Sequence, residues 1–430
     1  MNTYGMVILA TLLLSYLCEV VASYLNLSAL QKPVPEEFGA LYDPEKYRQS
    51  QAYTQARTRF GLFSMTFDLL LLLGFWFAGG FEYLDQLVRS LGFNSVITGL
   101  LYMGALMTLK AVIGIPFSLY ATFVLESRFG FNKTTAATFW LDQLKGTVLA
   151  VLIGGAILGS VLAFFDYAGP QAWWYCWLTV AGISLILQFI APGFILPLFN
   201  KFTPLEEGSL RQRIMRFAER VDYPLSNLFV MDGSRRSSKS NAFFTGFGKH
   251  KRIALFDTLI EKHSERELVA ILAHEIGHYK KGHIRQSMII SLLYTGVMFF
   301  LLSVFLSHRG LFDTFFMTHM STYAGLIFFG MLFKPINLVL SVLMQMLSRK
   351  NEYEADRFAV ESTEDPESMI NALKKLSADN LANLTPHPFH VFLNYSHPPL
   401  VERVRAIRNF AETSLSGASG LTGVQSAAGE

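Results

Sequence analysis

The sequence is short of charge and of cysteine. Only 16% of its 430 residues are Asp, Glu, Lys or Arg, against 51% hydrophobic, where soluble domains carry about a quarter charged. The chain is too apolar for an ordinary soluble globule. Its two cysteines, Cys18 and Cys176, both lie in apolar stretches. Neither a disulfide framework nor a Cys-type metal site is available, and both read as packing residues. A strong excess of one sign of charge is also missing. The formal net charge is +3, and nothing in it calls for a nucleic-acid partner. No internal repeat stands out.

What the chain has instead is a series of long, nearly charge-free runs: Tyr4 to Leu25, Leu62 to Phe81, Thr98 to Leu125, Thr147 to Phe165, Ala172 to Phe199, Ser287 to Leu306 and Tyr323 to Leu347. Each is long enough to cross about 30 Å of hydrocarbon as a helix, so seven transmembrane helices are predicted. The first run has no basic residue before it and no small-residue cleavage site followed by a soluble domain, and reads as a retained helix. Lys and Arg orient the set, because positive charge is kept on the cytoplasmic side. Connections on one side carry five, three, sixteen and eight basic residues, and those on the other none, one, none and one. This places the N-terminus outside, and the C-terminus and the long segment before helix six in the cytoplasm.

The expected organisation is therefore transmembrane helices one to five with their loops over residues 1–199, a cytoplasmic segment over 200–286, helices six and seven over 287–348, a second cytoplasmic segment over 349–413, and a Gly-, Ser- and Ala-rich disordered tail over 414–430. The first cytoplasmic loop, Asn26 to Arg59, reads as a polar, largely helical connector. Glu19, Asp68, Lys110 and Lys334 sit within apolar runs. They point to a polar interior between the helices or, for those near helix ends, to snorkelling. Pro116, Pro192, Pro197 and Pro335 predict bends in helices three, five and seven. In the 200–286 segment a helical period around Ser209 to Val221 precedes Leu228-Phe-Val-Met, Ser240-Asn-Ala-Phe-Phe-Thr-Gly-Phe, a polar Gly248-Lys-His-Lys turn and Arg252-Ile-Ala-Leu-Phe-Asp, which suggests a small β-hairpin. Ser264 with Glu267 forms a capping box. It starts a helix that runs on through Tyr279-Lys-Lys-Gly-His towards helix six.

That helix carries His274-Glu275-Ile276-Gly277-His278. Two histidines four apart fall on one face, so both imidazoles can reach one metal ion, and the glutamate beside the first can hold a water next to it. A third protein ligand is needed, with a fourth position open for water. The best candidate lies in Asn351-Glu-Tyr-Glu-Ala-Asp, just past helix seven. Glu352 and Asp356 share a helical face, so Glu352 can bind the metal while Asp356 accepts a hydrogen bond from the free nitrogen of a ligand histidine. Glu354 points elsewhere. The hairpin of helices six and seven leaves the cytoplasm after His278 and returns just before Glu352, which brings the two motifs together. His283 is a weaker ligand candidate on a diverging face, and His250, His263, His308, His319, His387 and His390 read as surface residues.

These motifs, with Ser240-Asn-Ala-Phe-Phe-Thr-Gly and Tyr395-Ser-His-Pro-Pro-Leu-Val-Glu-Arg, resemble in order and placement the CAAX prenyl protease 1 family, integral-membrane zinc metallopeptidases of the M48 class. The likeness extends to Glu45-Lys-Tyr-Arg-Gln-Ser-Gln with Thr58-Arg-Phe-Gly, and to Phe129-Gly-Phe-Asn-Lys. HtpX-type quality-control proteases share the metal motif but are shorter. The resemblance implies an all-α membrane protein whose seven transmembrane helices form an α-barrel around a large chamber, with a cytoplasmic metallopeptidase domain containing a small β-hairpin. It implies one Zn2+ per chain on His274, His278 and Glu352, with Glu275 as general base and Asp356 behind the ligands. Asn241 would bind substrate backbone from an edge strand, with His397 and Arg403 near the scissile carbonyl. For the last two, a rigid His-Pro-Pro turn before a helix is an equal reading.

The expected activity is peptide-bond hydrolysis like that of the protease that removes the C-terminal tripeptide of prenylated CAAX proteins. The partners are then the lipid bilayer and a peptide or protein substrate, prenylated at a C-terminal Cys if the likeness extends that far. Short, plain termini without a dilysine tail point to a bacterial inner membrane rather than the endoplasmic reticulum. There, general quality-control proteolysis is the alternative. A catalytically silent scaffold or transporter is a further alternative, against which the retained Glu275 speaks.

Overall fold

A computed structural model describes residues 1–35, 38–39, 43–245 and 251–422. Five long apolar helices open the chain: α1 (Thr3–Ala29), α2 (Pro44–Phe77), α3 (Ser95–Glu126), α4 (Ala136–Tyr167) and α5 (Gly169–Phe199). From Pro44 onward the polar connector and the second span are one continuous helix, capped by Asp43, whose carboxylate accepts from the Lys46 N–H at 2.7 Å with Pro44 in the first helical position. Proline is tolerated there because that N–H has no intrahelical partner.

The chain then forms β1 (Phe202–Pro204), α6 (Ser209–Arg220), β2 (Leu225–Met231), β3 (Ala242–Thr245), β4 (Lys251–Phe256) and the histidine-bearing α7 (Glu265–Lys280). Helix α8 (His283–Phe305) is the sixth span. The seventh is broken into α9 (Thr322–Leu332) and α10 (Lys334–Thr363), bent by 54°. Helix α11 (Pro366–Asp379), a short helix Pro388–Asn394 and α12 (Leu400–Thr422) complete the described chain.

Among the described residues six helices are thus long and apolar enough to cross a membrane, seven with the bent pair as one span, as the hydropathy pattern predicts. The proline positions also hold. Pro116 lies inside α3 ahead of a π-helical stretch at Tyr120–Glu126, Pro192 lies in another at Ala191–Ile195, Pro197 begins the last turn of α5, and Pro335 follows the break between α9 and α10. A third π-helical stretch, Ala150–Gly154 in α4, has no proline to announce it.

Two large packed regions, with a smaller one around Tyr53, Leu125, Phe131 and Leu381, are found among the described residues. One gathers Ile8, Leu12, Trp76, Phe81, Tyr102, Leu162, Phe312, Phe315 and Phe328 from the ends of the apolar helices. The other gathers Ile214, Leu228, Ile253, Leu255, Leu268, Leu272, Ile276, Ala359, Met369 and Val404 around the sheet and α7. Between them the spans bury little of their surface, from none in α5 to 28% in α1. Polar side chains meet across this stretch: Lys110 of α3 pairs with Asp68 of α2, Tyr16 meets Thr66 at 3.0 Å, and Glu19 accepts from Asn394 at 3.2 Å. Three of the four intramembrane charges therefore find partners on other elements instead of snorkelling alone, while Lys334 sits at the bend.

The expected hairpin exists, with β3 antiparallel to β4, but it is half of a larger sheet of order β1-β2-β4-β3. Strand β2 runs parallel to β4, Leu228 opposite Ile253, and β1 pairs antiparallel with β2. Hairpin signals between neighbours in sequence cannot report such a parallel pairing. The Gly248-Lys-His-Lys turn and His250 lie outside the described residues. Two ion-paired struts tie this region to the spans: Arg236 to Asp142 at 2.8 and 2.9 Å, and Lys239 to Glu126 and Tyr53, both at 2.7 Å. Where a disordered tail is expected from Ser414, α12 is described as far as Thr422. Its Ser and Ala are tolerated in a helix that Leu400 to Phe410 has already started. The rest of the tail lies outside the described residues.

Candidate metal centre

Helix α7 begins as its sequence predicts. The Ser264 hydroxyl accepts from the Glu267 N–H at 3.4 Å, and the Glu267 carboxylate accepts from the Ser264 N–H at 2.8 Å. Leu268, Leu272 and Ile276 pack into the core shared with the sheet. Helix α10 crosses α7 closely at Gly277, where an added Cβ would come within 3.1 Å of both the Cα and the carbonyl oxygen of Ala355. A side chain there would need the facing backbone to give by a few tenths of an ångström. The close crossing carries Glu352 and Asp356, on either side of Ala355, to the two histidines.

The nitrogens and carboxylate oxygens of His274, His278 and Glu352 lie within 4.8 Å of one another. The two Nε2 atoms are 3.2 Å apart, and Glu352 places Oε1 3.3 Å from His278 and Oε2 3.5 Å from His274. Glu352 is 4% exposed and its Oε2 accepts no hydrogen bond. A buried carboxylate oxygen without a donor is costly, and two imidazoles with one carboxylate form the donor set of catalytic zinc sites. The residues fit a divalent cation.

Behind His274 stands a fully buried carboxylate. Asp356 takes the Nδ1 of His274 at 2.8 Å and is clamped by Arg403 through Nε at 2.8 Å and Nη2 at 2.6 Å. The Nη1 of Arg403 lies 3.4 Å from Glu352 Oε2. Burial by itself pushes His274 down, but Asp356 and Glu352 more than reverse this and raise it to about 9 in the metal-free protein. Burial, the largest influence, pushes the Glu275 carboxyl up, against the pull of both histidines. Arg403 is held above its ordinary value because the charges of Asp356, Glu352 and Glu275 outweigh its burial.

Behind His278 the arrangement is one the residue pattern did not reveal. Its Nδ1 lies 3.0 Å from the Nδ1 of His283, whose Nε2 lies 3.1 Å from Glu354. His283 is not on a diverging face. Helix α7 stops at Lys280 instead of running on, and Gly282, with φ of 76°, turns the chain so that the first residue of α8 comes back beside His278. A left-handed glycine near a helix end was the available signal.

Among the other expected residues, His397 reaches Glu352 Oε1 with Nε2 at 3.3 Å and is 63% exposed. Asn241 precedes β3, the sheet edge. Its side chain accepts from the Ala242 N–H at 2.9 Å, and it is not drawn into the cluster. His308 and His319 are exposed, His387 and His390 are half-buried, and His263 is corrected to buried, its Nδ1 3.1 Å from the Leu259 carbonyl. The ring folds back onto the short helix Asp257–Lys262 that precedes it. A cavity of about 470 Å³ between α5, α8 and α10 is walled by Gln188, His278, His283, Ser287 and Ser348, so the cluster borders the space between the apolar helices.

Comparison with known proteins agrees with this architecture. A profile described as the CAAX prenyl protease N-terminal region with five membrane helices matches residues 23–201, and that of peptidase family M48 matches residues 204–411. The CAAX prenyl protease 1 homolog of Arabidopsis thaliana is 36% identical, covering 92% of this chain and 95% of its own. CAAX prenyl protease 1 of Saccharomyces cerevisiae is 35% identical over 91% and 92%, and the Homo sapiens homolog 35% over 88% and 89%. The crystal structure of S. mikatae Ste24p superposes with a TM-score of 0.90 at 33% identity, covering 95% of this chain and 99% of that one. With helices α2 to α5 in one profile and the metal cluster, together with the last two spans, in the other, the chain belongs to the CAAX prenyl protease 1 family of M48 membrane metallopeptidases.

Proposed function

We propose that the protein is a zinc endopeptidase whose site faces the space between its transmembrane helices and cuts peptide chains drawn into it, with prenylated CAAX-type C-termini as the preferred substrates. The observation that carries this is the convergence of His274, His278 and the donor-less Glu352 oxygen beside a cavity between α5, α8 and α10. A zinc ion held there supplies a Lewis acid that acidifies water and polarises a carbonyl.

Glu275 takes a proton from the attacking water and returns it to the leaving amine. Its carboxylate bonds to no described residue, and burial favours proton uptake. His397, exposed at the rim, donates to the carbonyl oxygen as negative charge develops. Arg403, with Nε and Nη2 bonded to Asp356 and its charge 3.4 Å from Glu352, holds the ligands in place. The free edge of β3 beside Asn241 pairs with an extended peptide. A water-filled chamber is supported by the polar pairs Lys110–Asp68 and Tyr16–Thr66 between sparsely packed spans.

The basic loops favour a cytoplasmic catalytic part. Prenyl preference is supported by the relatives, which are CAAX prenyl proteases by name. It is tested by incubating the detergent-solubilised protein with matched farnesylated and unmodified peptides, with added zinc or chelator. Faster cleavage of the farnesylated peptide, abolished by chelator, is expected. Equal cleavage of both would favour general proteolysis, and cleavage that survives complete metal removal would overturn the zinc reading.

A further inference from the structure

The two histidines of the cluster are backed differently, and the difference determines where their protons sit. His274 faces Asp356 directly. His278 faces a second imidazole, His283, nitrogen to nitrogen at 3.0 Å. At that distance one nitrogen must carry a hydrogen and the other a lone pair. The far side of His283 decides which, because its Nε2 is 3.1 Å from Glu354, and a carboxylate only accepts. A neutral His283 therefore keeps its hydrogen on Nε2, and its bare Nδ1 accepts from His278. That leaves the Nε2 of His278 as a lone pair directed at the space shared with His274 and Glu352. The opposite arrangement would set the Nε2 lone pair of His283 against the Glu354 oxygen and aim an N–H of His278 into the metal position.

We propose that Glu354 and His283 form a hydrogen-bonded relay that positions His278 as a metal ligand. The relay fixes the tautomer that exposes Nε2 and raises the electron density on that nitrogen. The inference rests on the metal reading above and deepens it. Three features of the chain assemble the relay: the left-handed turn at Gly282, the buried placement of His283 at 6% exposure, and Glu354 one helical turn beyond Lys350, which lies 3.7 Å from it. Because a neutral imidazole stands between ligand and carboxylate, and Glu354 is 41% exposed, the relay tunes His278 less strongly than Asp356 tunes His274.

The test is zinc affinity of the full-length protein in detergent, measured by competition with a chelator, together with the visible absorption of the cobalt(II)-loaded form, which reads ligand geometry without reference to activity. His283→Leu removes the acceptor at similar volume and is expected to weaken zinc about 10- to 100-fold, the usual cost of losing such a partner. His283→Asn places an amide oxygen near the former Nδ1 and should recover most of the affinity and the cobalt spectrum. Glu354→Ala should weaken zinc, and Glu354→Gln, which keeps an acceptor, should do so less.

Wild-type affinity in His283→Leu overturns the relay, and so does an Asn variant as weak as the Leu variant, because packing alone would then explain the loss. If the Leu variant does not fold, the ordering of the two Glu354 variants decides, and equal affinity in both overturns the proposal. Failure of the unaltered protein to bind one zinc would instead overturn the reading of the site.

Discussion

The two halves of the metal cluster are built to different standards. The His274 half is sealed: Asp356 is fully buried, and Arg403, at 8% exposure, grips both its oxygens. The His278 half is looser, with a second histidine and a partly exposed glutamate in a row beside the cavity between the spans. A buried ion pair holds geometry rigidly, but leaving one partner alone is expensive. A relay of a neutral imidazole and a partly exposed carboxylate is cheaper to disturb and tunes less. The first half therefore anchors the cluster, and the second adjusts it.

The contrast is best tested against a variant that touches neither half. Glu275→Gln should leave zinc affinity unchanged and lower peptidase turnover by about 10²- to 10⁴-fold, the usual worth of a positioned acid–base group. Unchanged turnover would remove Glu275 from the chemistry. Next in size, Asp356→Ala strands the Arg403 charge and should cost about 3–5 kcal/mol of stability, read by denaturant unfolding of the chelator-treated protein, with zinc binding lost as well. A cost no larger than that of Glu354→Ala would erase the distinction between the halves.

Gly277→Ala forces the crossing apart and should destabilise by about 1–3 kcal/mol, weakening zinc through both halves at once because Glu352 retreats from both histidines. Zinc affinity close to that of the unaltered protein would show that the crossing does not set the site.

The smallest effect is one of pH. With His274 raised to about 9 in the metal-free protein, metal binding displaces its proton at neutral pH. Apparent zinc affinity should therefore fall about tenfold per unit as pH drops below 9. Asp356→Asn keeps an acceptor but removes the charge, so this dependence should begin nearer the ordinary histidine value. A pH-independent affinity between 7 and 9 would contradict the raised His274.

The same unevenness separates what could be read from the residue pattern. The apolar runs and the prolines at 116, 192, 197 and 335 predict spans and bends, because length, hydropathy and a missing N–H act locally. The π-helical stretch at Ala150–Gly154 was silent, since no local residue demands it. The hairpin of β3 and β4 was legible from alternation, whereas the parallel pairing of β2 with β4 links strands separated by another element. His274, His278, Glu352 and Asp356 were legible because each pair sits four apart on a helix. His283 was assigned to a diverging face because a continuous helix was assumed through Gly282, where one positive φ redirects everything after it.

By itself, then, the sequence determined which side chains can bind a metal, which helix faces carry them and which stretches belong in hydrocarbon. All of these follow from periods within single elements. Only the tertiary structure decided that α10 crosses α7 at Gly277, that Asp356 and Arg403 stand behind one histidine, and that His283 and Glu354 stand behind the other. The physical reason is that periodicity places side chains around one helix axis, while the distance and angle between two axes depend on what fits at their closest approach. Here that is the single hydrogen of Gly277 facing the backbone of Ala355.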